Sequence, residues 1–395
     1  MKMHKVGMLV AVTLAAGSVL WTSVGAGQQQ AAELESVFVS APPNLDGVAE
    51  SSWDNVPELE VLAVGGANAG THSISLKSVY TEQDVYFLVR YDDPTHSLRR
   101  FPWVKQDDGS WLHLNDGSDH DETVYYEDKF AFIWNINNSI QGFNQAGCMV
   151  TCHVGEGKPY GNKYTATEGE IGDIWHWKSV RSGSVGYIDD QYVDAQRYDE
   201  DHTGAGRHSD PKTMGSYVNN VNEDATGPAF MGPMGADGPY WIEDSEKVPF
   251  VDTFEAGDEI PGIIVARPDG DRGQTNVAST YEGGMWTLEI SRPRVTGSEF
   301  DVQFDDPDGL YHFGMAVFDN AQVRHAFQSS VAALRLGDQI ADHQADQPAH
   351  RLGDQAPAIK VRILPPRFGE DATDQGHLVE VLDRKKTGPQ PIINV

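Results

Sequence analysis

The sequence predicts an all-β protein, an antiparallel β-sandwich with short helices and one long loop insertion. Three observations carry this. Apolar and polar residues alternate with period two in run after run, turn-forming residues separate the runs, and helical periodicity is weak. The clearest run is Val85-Tyr86-Phe87-Leu88-Val89-Arg90-Tyr91, in which Val85, Phe87, Val89 and Tyr91 share one face of an extended chain. Residues 73–79, 129–136, 286–290, 300–304, 311–318 and 358–363 follow the same rule. Asp92-Asp93-Pro94, Asp116-Gly117, Pro268-Asp269-Gly270 and Pro307-Asp308-Gly309 supply the turns. Only residues 321–336 carry the spacing of a short helix. Between 199 and 258 the chain is rich in Gly, Asp, Asn and Pro, as expected of an insertion lying over one end of the sandwich.

With 395 residues, 39% of them hydrophobic, the chain can bury a substantial core. Lys2 and Lys5 precede an apolar run over residues 6–21, and Val24-Gly25-Ala26 reads as a small-residue cleavage site. A signal peptide over 1–26 is therefore expected, with a periplasmic or secreted mature protein. The run is shorter than the roughly 20 residues of a spanning helix, so no stable membrane anchor is expected. The sandwich is assigned to 33–368 and an irregular tail to 369–395. A net charge of −30 repels phosphate backbones and excludes nucleic acid as a partner.

The chain has only two cysteines, and both fall in Gly147-Cys148-Met149-Val150-Thr151-Cys152-His153. Covalent attachment of haem needs two thiols to form thioethers with two vinyl groups, and a histidine directly after the second thiol to reach the iron. Cys148, Cys152 and His153 supply all three, pointing to one covalent haem c with His153 as the proximal ligand. The spacer holds three residues where two are usual, so the loop must bulge. A small disulfide would also suit an oxidising compartment, but it leaves His153 without a role. A zinc site wants four ligands, and only three are local.

The order of segments resembles the haem-binding domain of the ethylbenzene dehydrogenase gamma-subunit family. The resembling pieces are Pro43-Asn44-Leu45-Asp46-Gly47 with Trp53; Asp84-Val85-Tyr86-Phe87-Leu88-Val89-Arg90-Tyr91-Asp92-Asp93-Pro94-Thr95; Asp173-Ile174-Trp175-His176-Trp177-Lys178; Trp286-Thr287-Leu288-Glu289-Ile290-Ser291-Arg292-Pro293; and Phe313-Gly314-Met315-Ala316-Val317-Phe318-Asp319-Asn320. The resemblance implies an exported sandwich that carries electrons for a molybdenum enzyme related to dimethyl sulfoxide reductase, or exchanges them with another cytochrome. The gamma subunits best known in the family hold a non-covalent b-type haem between a methionine and a lysine or histidine, whereas this chain has the thioether motif and resembles a branch in which haem is covalently fixed. In the family the distal ligand follows the Ala-Val-Phe-Asp strand, and the matching stretch here ends in His325.

His325 is accordingly the expected distal ligand, with His312, Met231 and Met234 as rivals. Trp175 and His176 are expected to line the pocket, and Trp134 and Trp177 either pack there or sit in the core. The acidic turns 269–271 and 305–309 lack the spacing of a calcium loop and read as solvated. No Ser-His-Asp order or phosphate-binding glycine loop stands out, so an electron-transfer protein or non-catalytic subunit is expected. Two alternatives stay open. The opening from Leu45-Asp46-Gly47 to Trp53 also resembles family-nine carbohydrate-binding modules, and a haem with an open sixth site would serve as a gas or redox sensor.

Overall fold

The computed structural model describes residues 31–115, 117–118, 120–153 and 163–337, together with the backbone of two short paired strands, Val361–Ile363 and Val379–Val381. The chain divides into two compact units, Met1–Ile340 and Ala341–Val395. The cleavage site at 26, the expected boundary at 368 and most of the tail lie outside the described residues. Among the described residues no helix is long and apolar enough to cross a membrane.

The first unit is built on one 13-stranded sheet. Its strands are β1 (Ala32–Phe38), β2 (Glu58–Val64), β3 (Thr71–Tyr80), β4 (Asp84–Asp92), β5 (Lys129–Asn135), β6 (Gly172–Lys178), β7 (Asp189–Val193), β8 (Arg207–Ser209), β9 (Asn276–Glu282), β10 (Met285–Pro293), β11 (Leu310–Phe318), β12 (Ala326–Gln328) and β13 (Ala332–Leu336). The order is β8-β7-β6-β5-β11-β12-β2-β3-β4-β10-β9, and β1 runs parallel to both β13 and β3 while the other pairs are antiparallel. The sheet folds on itself at β12, so the β6-β5-β11 half packs against the β3-β4-β10 half. Phe87 of β4 meets Phe132 and Trp175 at ring separations of 5.7 Å, and Trp177 of β6 meets Trp286 of β10 at 4.8 Å. This is the expected sandwich, with an aromatic core whose burial stabilises each ring by roughly 1.5–3 kcal/mol.

Alternation along three adjacent strands decides what faces the core and what faces away. Phe130, Phe132 and Trp134 of β5, Trp175 and Trp177 of β6, and Phe313, Met315 and Val317 of β11 all enter the core. Their neighbours Ala131, Ile133, Ile174, His176, Gly314, Ala316 and Phe318 point to the opposite face.

Several expectations change. Residues 321–336 hold no helix; they contain β12 and β13, split by Ser329-Ser330-Val331. Ala332, Ala333, Leu334 and Leu336 are buried, and a strand covered on both faces loses the alternation that marks it in sequence. Residues 300–304 form no strand. The insertion over 199–258 carries short strands of its own: Ser216–Asn219 and Ile242–Glu243 flank Ile263–Ala266 in a small sheet.

The opening motif is a folding device. The Glu289 carboxylate of β10 accepts from the Asp46 and Gly47 amides at 3.0 and 2.9 Å and from the Trp53 indole at 3.1 Å. Nearby, Asp93, Asp128 and Asp319 lie buried together, with one carboxylate oxygen from each inside a 4.8 Å cluster. Burial and mutual repulsion push Asp93 up to about 9 and Asp128 up to about 7. The folded state therefore keeps protons that the unfolded chain, with aspartates near 3.9, releases. Stability is present at low pH and is lost as pH rises through the folded values. We expect the melting temperature to fall between pH 5 and 9, and Asp93→Asn to flatten that slope; an equal slope in the variant contradicts the assignment.

Candidate functional site

A cavity of about 410 Å3 lies on the outer face of the β7-β6-β5-β11-β12 half, within the roughly 300–1,000 Å3 typical of cofactor pockets. Strand register makes its floor. His176, Ala131, Ala316 and Phe327 stand side by side across β6, β5, β11 and β12, and Ile174, Ile133 and Gly314 form the next row. Ala131 and Ala316 in the middle of the first row and Gly314 at the end of the second leave a shallow apolar surface. The insertion closes one side with Tyr198, Thr203, Ala205 and Arg207.

Cys148, Cys152 and His153 form one wall. A single helical turn, α1 (Phe143–Ala146), leads into a 3-10 turn over Gly147–Val150. Gly147 has φ +55°, and a Cβ there would stand 3.1 Å from the Ser330 carbonyl oxygen, so a side chain is disfavoured twice over. The three-residue spacer bulges as its length demands: the Thr151 and His153 amides both donate to the Cys148 carbonyl at 3.2 Å. Both thiols are free, and burial pushes each above the ordinary thiol value. They are held as neutral S–H groups and are poor nucleophiles.

Across the cavity stands His325. Its Nε2 lies 3.4 Å from Nε2 of His153, with the rings 83° apart. The Val323 carbonyl sits 3.1 Å from His325 Nδ1, which places the proton there and leaves the Nε2 lone pair directed at His153. Phe327 packs on the His153 ring at 4.5 Å and Phe318 on the His325 ring at 4.7 Å, fixing both orientations. Burial lowers His153, and burial together with His153 pushes His325 down to about 3. Both imidazoles are neutral at neutral pH, the form that binds metal. With metal–nitrogen bonds of roughly 2 Å, both nitrogens would be within reach of one metal ion placed between them.

The remaining wall carries charge of one sign. Lys163 and Arg207 line the cavity, and none of the 59 acidic residues is among its described lining residues. In a chain of net charge −30 this is a local reversal. His176 is buried on the floor, its Nε2 without a hydrogen-bond partner. Burial and the nearby lysines hold it well below the usual histidine range. The site therefore offers two facing metal-binding nitrogens, two thiols, an apolar floor and cations for anionic substituents. That donor set fits an iron porphyrin bearing carboxylates.

Sequence reasoning placed Cys148, Cys152, His153, His325 and His176 at the pocket, and the structure brings these five residues together around one cavity. Trp175 is corrected: it faces the core with Trp134 and Trp177, because odd positions of β6 point inward. Among the rivals, His312 shares the outer face of β11 but is absent from the cavity lining. Met231 pairs in a two-residue strand with Val248 and Met234 is exposed, so neither reaches the cavity.

The floor residues Ala131, Gly314 and Ala316 and the cations Lys163 and Arg207 were missed. Small residues at alternate positions of two alternating strands were the available signal for the floor. Gly314 has a specific purpose, since a Cβ there would lie 2.6 Å from Cys148 Sγ. Gly314→Ala is expected to displace that sulfur and cost about 1–3 kcal/mol, read as a lower melting temperature; an unchanged melt contradicts the close approach.

No curated protein matches the chain. Solved structures similar to it include a family-nine carbohydrate-binding module from Caldicellulosiruptor kristjanssonii in complex with glucose. That match has 8% identity and a TM-score of 0.31, covering 79% of this chain and 99% of that one. Another is a putative carbohydrate-binding protein from Bacteroides uniformis, with 11% identity and a TM-score of 0.31, covering 78% of this chain and all of that one. The family model described as ethylbenzene dehydrogenase matches residues 50–330, a span that runs from the Trp53 opening through β12 and includes every candidate ligand. With most of its length matched in this way, the chain belongs to the ethylbenzene dehydrogenase family.

Proposed function

We propose that this chain is an exported monohaem c-type cytochrome that transfers electrons, as the haem subunit or soluble carrier of a periplasmic redox system. Its partner in this reading is a molybdoenzyme or another cytochrome, and the chain itself is not a catalyst. The observation that carries the proposal is the facing pair His153 and His325, with Nε2 atoms 3.4 Å apart in a cavity that also holds both cysteines.

The roles follow from the side chains. Cys148 and Cys152 would supply the two thioether sulfurs, and His153 and His325 the two axial nitrogens. A haem bound there would supply one-electron chemistry between ferric and ferrous iron. The chain's part is to keep both imidazoles neutral and fixed by Phe327 and Phe318, so that ligation changes little on reduction. Lys163 and Arg207 would pair with carboxylate substituents. If His153 and His325 both held the iron, a bound haem would offer no place for a gas, which disfavours the sensor reading.

Sugar recognition has less support. Trp53, which carries the resemblance to carbohydrate-binding modules, is 2% exposed and bonded to Glu289.

The direct test is spectral. The purified full chain should show a reduced c-type alpha band and keep its colour through acid–acetone extraction. Pigment leaving with the acetone would overturn covalent attachment.

A further inference from the structure

Away from the haem cavity, four aspartates are buried where the two halves of the sandwich meet. Asp173 opens β6, Asp190 lies in β7, Asp210 follows β8, and Asp301 lies in the loop after β10; all four are at most 2% exposed. One carboxylate oxygen from each of Asp173, Asp190 and Asp301 falls within a 4.8 Å cluster. Asp210 adjoins it, its amide donating to the Asp190 carbonyl at 3.2 Å. One cation reaches the group. Arg292 donates from Nη1 to Asp173 Oδ2 at 2.9 Å and approaches Asp301 Oδ2 from Nη2 at 3.3 Å.

The hydrogen bonds around this cluster are lopsided. Asp173 Oδ2 accepts from Arg292, the Val302 amide at 2.9 Å and the Trp175 indole at 3.0 Å. Asp190 Oδ2 accepts from the Thr275 hydroxyl at 3.1 Å, and Asp301 Oδ2 from Gln274 Nε2 at 2.6 Å. The opposite oxygens, Oδ1 of Asp173, Asp190 and Asp301, accept from no donor, nor does either oxygen of Asp210, whose carboxyl group stands within hydrogen-bond reach of the Asp301 carboxylate. Each aspartate of the triad thus anchors one oxygen to the protein and leaves the other bare. Five bare carboxylate oxygens in a buried site are costly unless a cation meets them.

We propose that Asp173, Asp190, Asp210 and Asp301 form a calcium site. The donors are all oxygens, which selects a hard cation. Several carboxylates without an evident octahedral frame suit calcium, which takes 6–8 oxygens in flexible geometry, better than magnesium, which keeps its waters. Because β6 and β7 belong to one half of the sandwich and the 301 loop follows β10 of the other, the ion ties the halves together. It is a structural site, independent of the haem assignment.

The test uses the full-length protein, stripped with EGTA and dialysed. Calcium chloride should then bind by calorimetry and raise the melting temperature by several degrees, with a smaller effect from magnesium chloride. Asp210→Asn, which keeps the side-chain shape, should weaken calcium binding at least about tenfold, and Asp190→Asn with Asp210→Asn should abolish the calcium-dependent shift. No bound calcium in the wild-type protein overturns the proposal even if the variants fail to fold. An equal shift from magnesium overturns the choice of calcium, and undiminished binding in Asp210→Asn overturns the location.

Discussion

Replacing His325 with alanine should convert the proposed haem from a low-spin form to a high-spin form that binds carbon monoxide rapidly when reduced. The reasoning is geometric. His325 is the one described imidazole whose Nε2 faces that of His153, at 3.4 Å, and its orientation is set by the Val323 carbonyl and Phe318. His312 and Met234 stand elsewhere, and His176 belongs to the floor. Removing the side chain leaves a gap beside Phe318, Val323 and Phe327, which cannot ligate iron; His120 also lines the cavity and is the residue an unchanged spectrum would implicate. Cys148 and Cys152 are untouched, so the haem should remain attached. An unchanged low-spin spectrum would show that another residue ligates the iron.

Trp175→Ala should cost about 3–5 kcal/mol, as expected for truncating a buried indole, and should lower the melting temperature by on the order of 10 °C. Trp175 is 1% exposed; its ring meets Phe87, Phe132 and Trp134, and its indole N–H donates to Asp173. Because it lies on the core side of β6, the visible spectrum of the fraction that folds should match the wild type. A large spectral change with little loss of stability would instead place Trp175 against the porphyrin.

The contrast between Trp175 and its neighbour His176 shows why part of this site could not be read from sequence. All seven residues of β6 are buried, one face by the core and the other by the cavity and its cover. Alternation then reports that two faces exist but not which one holds a ligand. The same double burial made β13 look helical. Cys148, Cys152 and His153 were legible because their chemistry is local, three groups within six consecutive residues. His325 lies 172 residues from His153, and no spacing rule links them; the resemblance to the ethylbenzene dehydrogenase family supplied it. Lys163, in a loop, and Arg207, at the start of β8, line the same cavity from distant parts of the chain, beyond the reach of any local pattern. The buried aspartates were equally silent, since Asp173, Asp190, Asp210 and Asp301 come together only when the sheet folds over. In the acidic turns that drew attention in sequence, Asp269, Asp305, Asp306 and Asp308 are exposed.

The central claim is that Cys148 and Cys152 are bonded to a porphyrin gripped by the adjacent imidazole. Mass spectrometry of the native protein, digested without reduction, tests it most directly. The peptide spanning Cys148 to His153 should carry the mass of one haem. A peptide of unmodified mass, or one lighter by the two hydrogens of a disulfide, would contradict it.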